Sequence, residues 1–157
     1  MTAPLRLSLP AELEPFGWVA PDADGTWQPT VPDDGLYCCK LQVWGARSEL
    51  LDVVAWEFGH PSPWWLRWGY ANFLGLAAIW RAKVPALNQR VTRLVATPRD
   101  WLRDRGESIC ILNWDAPLLP LLDDLGDVIC ETPALEAQLR SAIEIETNRH
   151  IRIRGAA

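Results

Sequence analysis

The chain has 157 residues, 49% of them apolar and 22% charged, with a formal net charge of −5. That is too apolar for a disordered chain and long enough to bury a core without disulfide or metal support, so one domain over residues 1–157 is expected. The longest apolar run, Leu76–Trp80, is far too short to span a bilayer, and Met1–Trp18 lacks the basic start and apolar stretch of a secretion signal. A cytoplasmic protein without membrane contact is the expectation.

Residues 1–34 hold five of the thirteen prolines within the first 30 positions and a sixth at Pro32, and carry the turn-like Pro21-Asp22-Ala23-Asp24-Gly25. This segment should be irregular, with short strands at most. Asp22 and Asp24 resemble a fragment of a calcium loop, but the third acidic position and the distal glutamate are missing, so a polar turn is the better reading.

Residues 35–90 read as a meander followed by a helix. Leu36–Trp44, Leu50–Phe58 and Trp64–Trp68 are rich in aromatic and β-branched residues and are separated by turn-like stretches. Both sides of the second strand are largely apolar, which places it centrally, covered on both faces. Tyr70–Lys83 then has apolar residues at helical spacing, with Gly75 as a weak point, and Pro85 stops it.

Residues 91–154 read as alternating strands and helices. Arg90–Ala96 alternates polar and apolar residues, as a strand does. Thr97-Pro98-Arg99-Asp100 places a capping threonine before a helix that Gly106 closes, and Thr132-Pro133 repeats the device before Ala134–Ile143. Between them Asp115 caps Ala116–Leu125, with Pro120 in an early turn and Gly126 at the end. A last strand closes the series. The fold class is therefore α/β or α+β: an antiparallel β-meander, then β-α units forming a mixed, partly parallel sheet with flanking helices. The meander either extends that sheet or stands as a separate one.

Charge is distributed in blocks. Residues 11–60 carry nine acids and two bases, residues 61–105 two acids and eight bases, and residues 106–157 nine acids and four bases. Solvated arginines, or arginines paired with the acidic flanks, are the ordinary outcome. The alternative is a surface for single-stranded nucleic acid, which combines positive charge with aromatic stacking. Its candidates are Trp64, Trp65, Arg67, Arg81, Lys83, Arg90, Arg93 and Arg99.

All ten tryptophans lie between Trp18 and Trp114. Trp44, Trp56, Trp80 and Trp101 read as core, and Trp64 and Trp68 share a strand face. In an open α/β sheet ligands bind at the carboxyl ends of the strands, which here carry Thr97, Trp114, Asp115 and Thr132. Helix capping explains three of those four without a ligand.

Catalytic patterns are sparse. No G-x-S-x-G surrounds any serine, and His60 has Asp52 and Glu57 nearby in sequence but sits in a Gly-His-Pro turn. Cys38 and Cys39 point to opposite faces of a strand, Cys110 and Cys130 lie in apolar runs, and no C-x-x-C occurs, so reduced thiols without a metal site are expected. No cofactor is implied.

The strings ELLDVVAWEFGHPSPWWLRWGYANFLG and ATPRDWLRDRGESICILNWD, within residues 35–115, resemble short proteins encoded in prophage or other mobile-element regions of alphaproteobacteria. The resemblance implies a genomic setting and no reaction: an accessory role in phage DNA metabolism, or interaction with a phage or host protein. Binding without catalysis, to a protein or to single-stranded nucleic acid, is the leading expectation. A metal-dependent nucleic-acid-processing enzyme and an aromatic carbohydrate-binding module are the competing classes. Self-association is a further option, since large aromatics favour interfaces and an acidic flank can dock on a basic middle.

Overall fold

The computed structural model describes residues 9–84 and 91–150. They gather into two compact units that divide after Ala71, inside the stretch read as meander plus helix.

The first unit is a five-stranded antiparallel sheet. Its strands are β1 (Phe16–Pro21), β2 (Trp27–Pro29), β3 (Leu36–Trp44), β4 (Leu50–Glu57) and β5 (Trp64–Leu66), in the order β2-β1-β3-β4-β5. The meander is therefore a separate sheet. The N-terminal segment is more regular than its prolines suggest, because β1 pairs with β3 along Phe16–Val19 and β2 closes a hairpin onto β1. Pro21 and Pro29 stand at strand ends, where a missing N–H costs no ladder bond. The sheet curls until the Leu66 N–H donates to the Gly25 carbonyl at 3.0 Å.

Strand β4 is flanked by β3 and β5 and is buried on both faces from Asp52 to Trp56. One face supplies a core of Val19, Trp27, Cys38, Val53 and Ala55, with Leu36 and Trp65 packed against it. Trp27 is fully buried and satisfies its indole N–H on the Val53 carbonyl at 2.9 Å. The Lys40 ammonium and the Arg67 guanidinium lie 5.8 and 5.5 Å from its ring, within cation–π range. The other face carries Phe16, Trp18 and Tyr37, which with Phe58 form a cluster of rings 5.3 to 6.5 Å apart.

The second unit is a mixed sheet with helices. In chain order it contains β6 (Phe73–Leu74), α1 (Leu76–Lys83), β7 (Thr92–Val95), α2 (Pro98–Arg103), β8 (Ile109–Ile111), α3 (Leu119–Leu125), β9 (Val128–Cys130) and α4 (Pro133–His150). Strand order is β6-β8-β7-β9; β7 runs parallel to β8 and β9, and β6 is antiparallel to β8. This is the mixed, partly parallel sheet with flanking helices that the alternation predicts.

Leu94, Ile109 and Ile111 on one sheet face form a continuous core with Ala78 and Ile79 of α1, Leu121 and Leu125 of α3, and Leu135 and Leu139 of α4. Each buried leucine or isoleucine among them contributes roughly 1.5–3 kcal/mol. Val95 and Cys110 point to the other face, where the Asp100 carboxylate of α2 bears on the Cys110 thiol. The connections after β7 and β8 thus leave toward opposite faces of the sheet.

Four local expectations are corrected. Helix α1 begins at Leu76 and not at Tyr70, because Phe73–Leu74 pairs with β8, and Gly75 is the residue before the helix and no weak point within it. At Gly75 φ is +118° and a Cβ would meet the Ser108 carbonyl oxygen at 2.4 Å, so only glycine fits. Helix α3 starts at Leu119, past Asp115, whose own N–H donates to the Asn113 side chain. The last strand does not form over its described part: α4 runs on to His150, since Leu135, Leu139 and Ala142 keep helical spacing against the core. Finally, Trp44 and Trp80 are 52% and 60% exposed, whereas Trp56 is buried and Trp101 half-buried, with its indole N–H on the Ser108 carbonyl.

The four cysteines are free thiols. Cys38 and Cys110 are buried and Cys39 and Cys130 half-buried, and desolvation raises the pKa of all four. None has the electropositive setting of a reactive thiolate.

Candidate functional site

In the first unit the chain after β5 turns around a buried carboxylate. Asp52 has no solvent exposure, and its Oδ1 accepts the N–H groups of Val53 at 2.8 Å and Trp68 at 3.0 Å. Its Oδ2 accepts those of Tyr70 at 2.7 Å and Ala71 at 3.1 Å. No cation pairs with it among the described residues; four amide dipoles meet its charge instead. The segment Arg67–Ala71 is held at a second point as well. The Arg67 N–H donates to the Val53 carbonyl, and its guanidinium lies over the rings of both Trp27 and Trp68, at 5.5 and 5.6 Å. Gly69, at φ +78°, lets the chain reverse between the two anchored stretches.

The consequence is a tight loop whose backbone points inward and whose aromatic side chains point outward. Trp68 is 38% exposed and Tyr70 68%. Trp64 and Trp65, on β5, are half-buried, Trp65 against the sheet core. Of the residues read as a nucleic-acid surface, only Trp64, Trp65 and Arg67 belong to this unit.

The remaining cations of that set lie in the second unit and are largely engaged. Arg81 pairs with Glu107 at 3.6 Å and donates to its carbonyl at 2.9 Å; Lys83 meets Asp124 at 3.0 Å; Arg93 meets Asp104 at 3.5 Å. Arg99 is half-buried, with its Nε enclosed. Arg90 lies outside the described residues. The basic middle of the sequence is thus spread over several elements, and three of its cations are matched by acids of α3 and the α2–β8 loop.

At the strand ends, Thr97 caps α2: its Oγ1 accepts the Asp100 N–H at 3.2 Å and donates to the Asp100 carboxylate at 2.6 Å. Thr132 caps α4 by accepting the Leu135 N–H at 3.2 Å. Trp114 and Asp115 have a different setting. Together with Ala116 and Pro117 they form one wall of a cleft of about 480 Å³, and the other wall is a stripe of α4. That stripe comprises Gln138, Ser141, Ala142, Ile145, Glu146 and Arg149, three and four residues apart as one helix face requires.

Glu146 ties the two walls to each other. Its Oε2 accepts the N–H groups of Leu118 at 2.7 Å and Leu119 at 3.2 Å, so a carboxylate on α4 caps α3 and ties the loop before it. Of the aromatic loop only Arg67 stands in the set read from sequence, and of the α4 wall no residue does. Trp68 reads from sequence as a strand residue on the face of Trp64 and Tyr70 as the start of a helix, and the partners of Asp52 lie too far along the chain for local pattern to show. The α4 stripe does have a sequence signal, the spacing 138, 141, 142, 145, 149.

Enzymatic arrangements do not assemble around the residues first considered. His60 Nδ1 is 3.3 Å from the Glu57 carboxylate, both are solvent-accessible, and Asp52 is committed to the loop amides. Among the described residues no three His, Cys, Asp or Glu side chains are placed to hold a metal. Asp24 accepts the N–H and hydroxyl of Thr26, which hold its carboxyl below the usual range, and the segment is the polar turn expected. No described helix is long and apolar enough to cross a membrane. Comparison with known proteins returns no match, whether to family models, to curated proteins or to solved structures.

Proposed function

We propose that the protein acts by binding a cytoplasmic protein partner, and that the Arg67–Ala71 loop is its contact. The observation that carries this reading is the Asp52 carboxylate beneath the loop: four N–H groups converge on it while Trp68 and Tyr70 remain in solvent. Tryptophan and tyrosine are the residues most enriched at energetic centres of interfaces. A loop already fixed in shape loses little conformational entropy on docking.

A nucleic-acid partner is favoured less, because three of the candidate cations are matched by carboxylates and the aromatic loop lies in the other unit. A setting among mobile-element proteins accords with a phage or host protein as the partner. The test is in-cell crosslinking from a photoreactive benzoylphenylalanine in place of Tyr70. The expected result is a discrete protein adduct that disappears when Trp68→Ala is added. An adduct pattern indifferent to Trp68→Ala, or crosslinks to nucleic acid alone, would overturn the reading.

A further inference from the structure

The cleft between Trp114–Pro117 and α4 has a build that the aromatic loop lacks. Its volume, about 480 Å³, falls within the roughly 300–1,000 Å³ of small-molecule sites. Its walls are more apolar than polar, from Trp114, Pro117, Ala142 and Ile145. Trp114 is half-buried and packed against the core, which fixes the orientation of its indole. The bonds from Leu118 and Leu119 to Glu146 brace the two walls against each other, so the space exists before any ligand arrives.

Three ionisable side chains face this space: Asp115, Glu146 and Arg149. Glu146 is spent on α3, whose first amides meet its charge. Asp115 and Arg149 are exposed at the mouth, one on each wall, and neither has an ion-pair partner among the described residues. The cleft therefore offers an aromatic and aliphatic floor with one anion and one cation at its rim. The complementary ligand has a flat apolar body and carries both an ammonium and a carboxylate.

We propose that this cleft binds a free aromatic α-amino acid as its zwitterion. The ring lies against Trp114, Ala142 and Ile145, the ammonium faces Asp115 and the carboxylate faces Arg149. A charge-assisted hydrogen bond to each of the two charged groups adds to the apolar contact and makes recognition depend on both charges at once. The site lies wholly in the second unit and does not rest on the aromatic loop of the first.

The test uses the full chain and three ligands that differ by one charge: L-phenylalanine, phenethylamine without the carboxylate, and 3-phenylpropanoate without the ammonium. Heteronuclear NMR titration should show saturable shifts at the Trp114 indole and the Ala142 and Ile145 amides with L-phenylalanine. Each single-charge ligand should bind about tenfold more weakly. Arg149→Ala should bring L-phenylalanine down to the level of phenethylamine, and Asp115→Asn to that of 3-phenylpropanoate. Both side chains are exposed, so neither change threatens the fold. Absence of saturable shifts at millimolar L-phenylalanine, shifts that map elsewhere, or equal binding of phenethylamine would each overturn the proposal.

Discussion

The carboxylate of Asp52 accepts the backbone N–H of Tyr70 at 2.7 Å, across a separation of 18 residues. A strand residue in the sheet core thereby dictates the shape of a surface loop. Removing the acceptor leaves several amides without a partner in a buried position, each costing roughly 1–3 kcal/mol. Asp52→Ala should therefore lower stability by about 3 kcal/mol or more. Asp52→Asn, which keeps one acceptor oxygen but turns an amino group toward N–H donors, should cost less than Asp52→Ala and still more than about 1 kcal/mol. Urea midpoints read both values; an Asp52→Ala midpoint equal to wild type would remove the carboxylate from this role.

Glu146 has a corresponding task in the second unit. Glu146→Ala should destabilise by about 1 kcal/mol, the usual value of a helix cap, and should speed hydrogen exchange at Leu118 and Leu119 more than at β8. Glu146→Gln retains an acceptor oxygen and should lose less. Equal exchange in all three proteins would show that the amides do not depend on this side chain.

Thr97 and Thr132 cap different helices, α2 and α4, with no shared partner. Each threonine-to-alanine change should cost about 1 kcal/mol, and the double variant should show their sum to within roughly 0.5 kcal/mol. Chemical denaturation of the four proteins checks this. Strong non-additivity would mean the two strand ends communicate.

Burial first, and the nearby Glu57 carboxylate second, push the Cys38 thiol up from its ordinary 9.0 to about 11. Between those values the folded chain retains a proton that the unfolded chain has lost. This contribution to stability is full below pH 9.0 and falls as pH rises toward about 11. Lys40, lowered by desolvation, works the other way in the alkaline range, since its release of a proton relieves a buried charge and stability rises. Comparing wild type with Cys38→Ala isolates the thiol: stability of the wild type should fall more steeply over this window. Parallel pH profiles would contradict the assignment.

Much of the sheet architecture is legible in the sequence because local pattern and tertiary setting agree there. Strands β3, β4 and β5 follow apolar and aromatic alternation bounded by Gly and Pro turns, and α2 announces itself through Thr97-Pro98. The errors arise where a distant group decides. Asp115 looks like a helix cap, but Glu146, which lies 28 residues beyond the Leu118 amide it accepts, supplies the oxygen. Trp80 lies among apolar neighbours, yet only Ala78 and Ile79 of α1 reach the core, and the helix turns Trp80 outward. Arg81, Lys83 and Arg93 form a basic block in one dimension, which the fold disperses onto separate acids. The same limitation conceals both candidate sites: Asp52 meets Trp68, Tyr70 and Ala71 only through the return of the chain past β5, and the α4 stripe meets Trp114 from more than 20 residues further along the chain.

The account depends on Trp68 and Tyr70 being displayed by a loop that is ordered before any partner arrives. Native-state hydrogen exchange at the Trp68, Tyr70 and Ala71 amides of the isolated protein tests this most directly. If the loop is fixed on Asp52, these three amides exchange as slowly as the core amides of β4, and Asp52→Ala releases them selectively. Exchange at the rate of an unstructured chain in the wild-type protein would contradict the account, because a loop of that kind presents no preformed surface to bind.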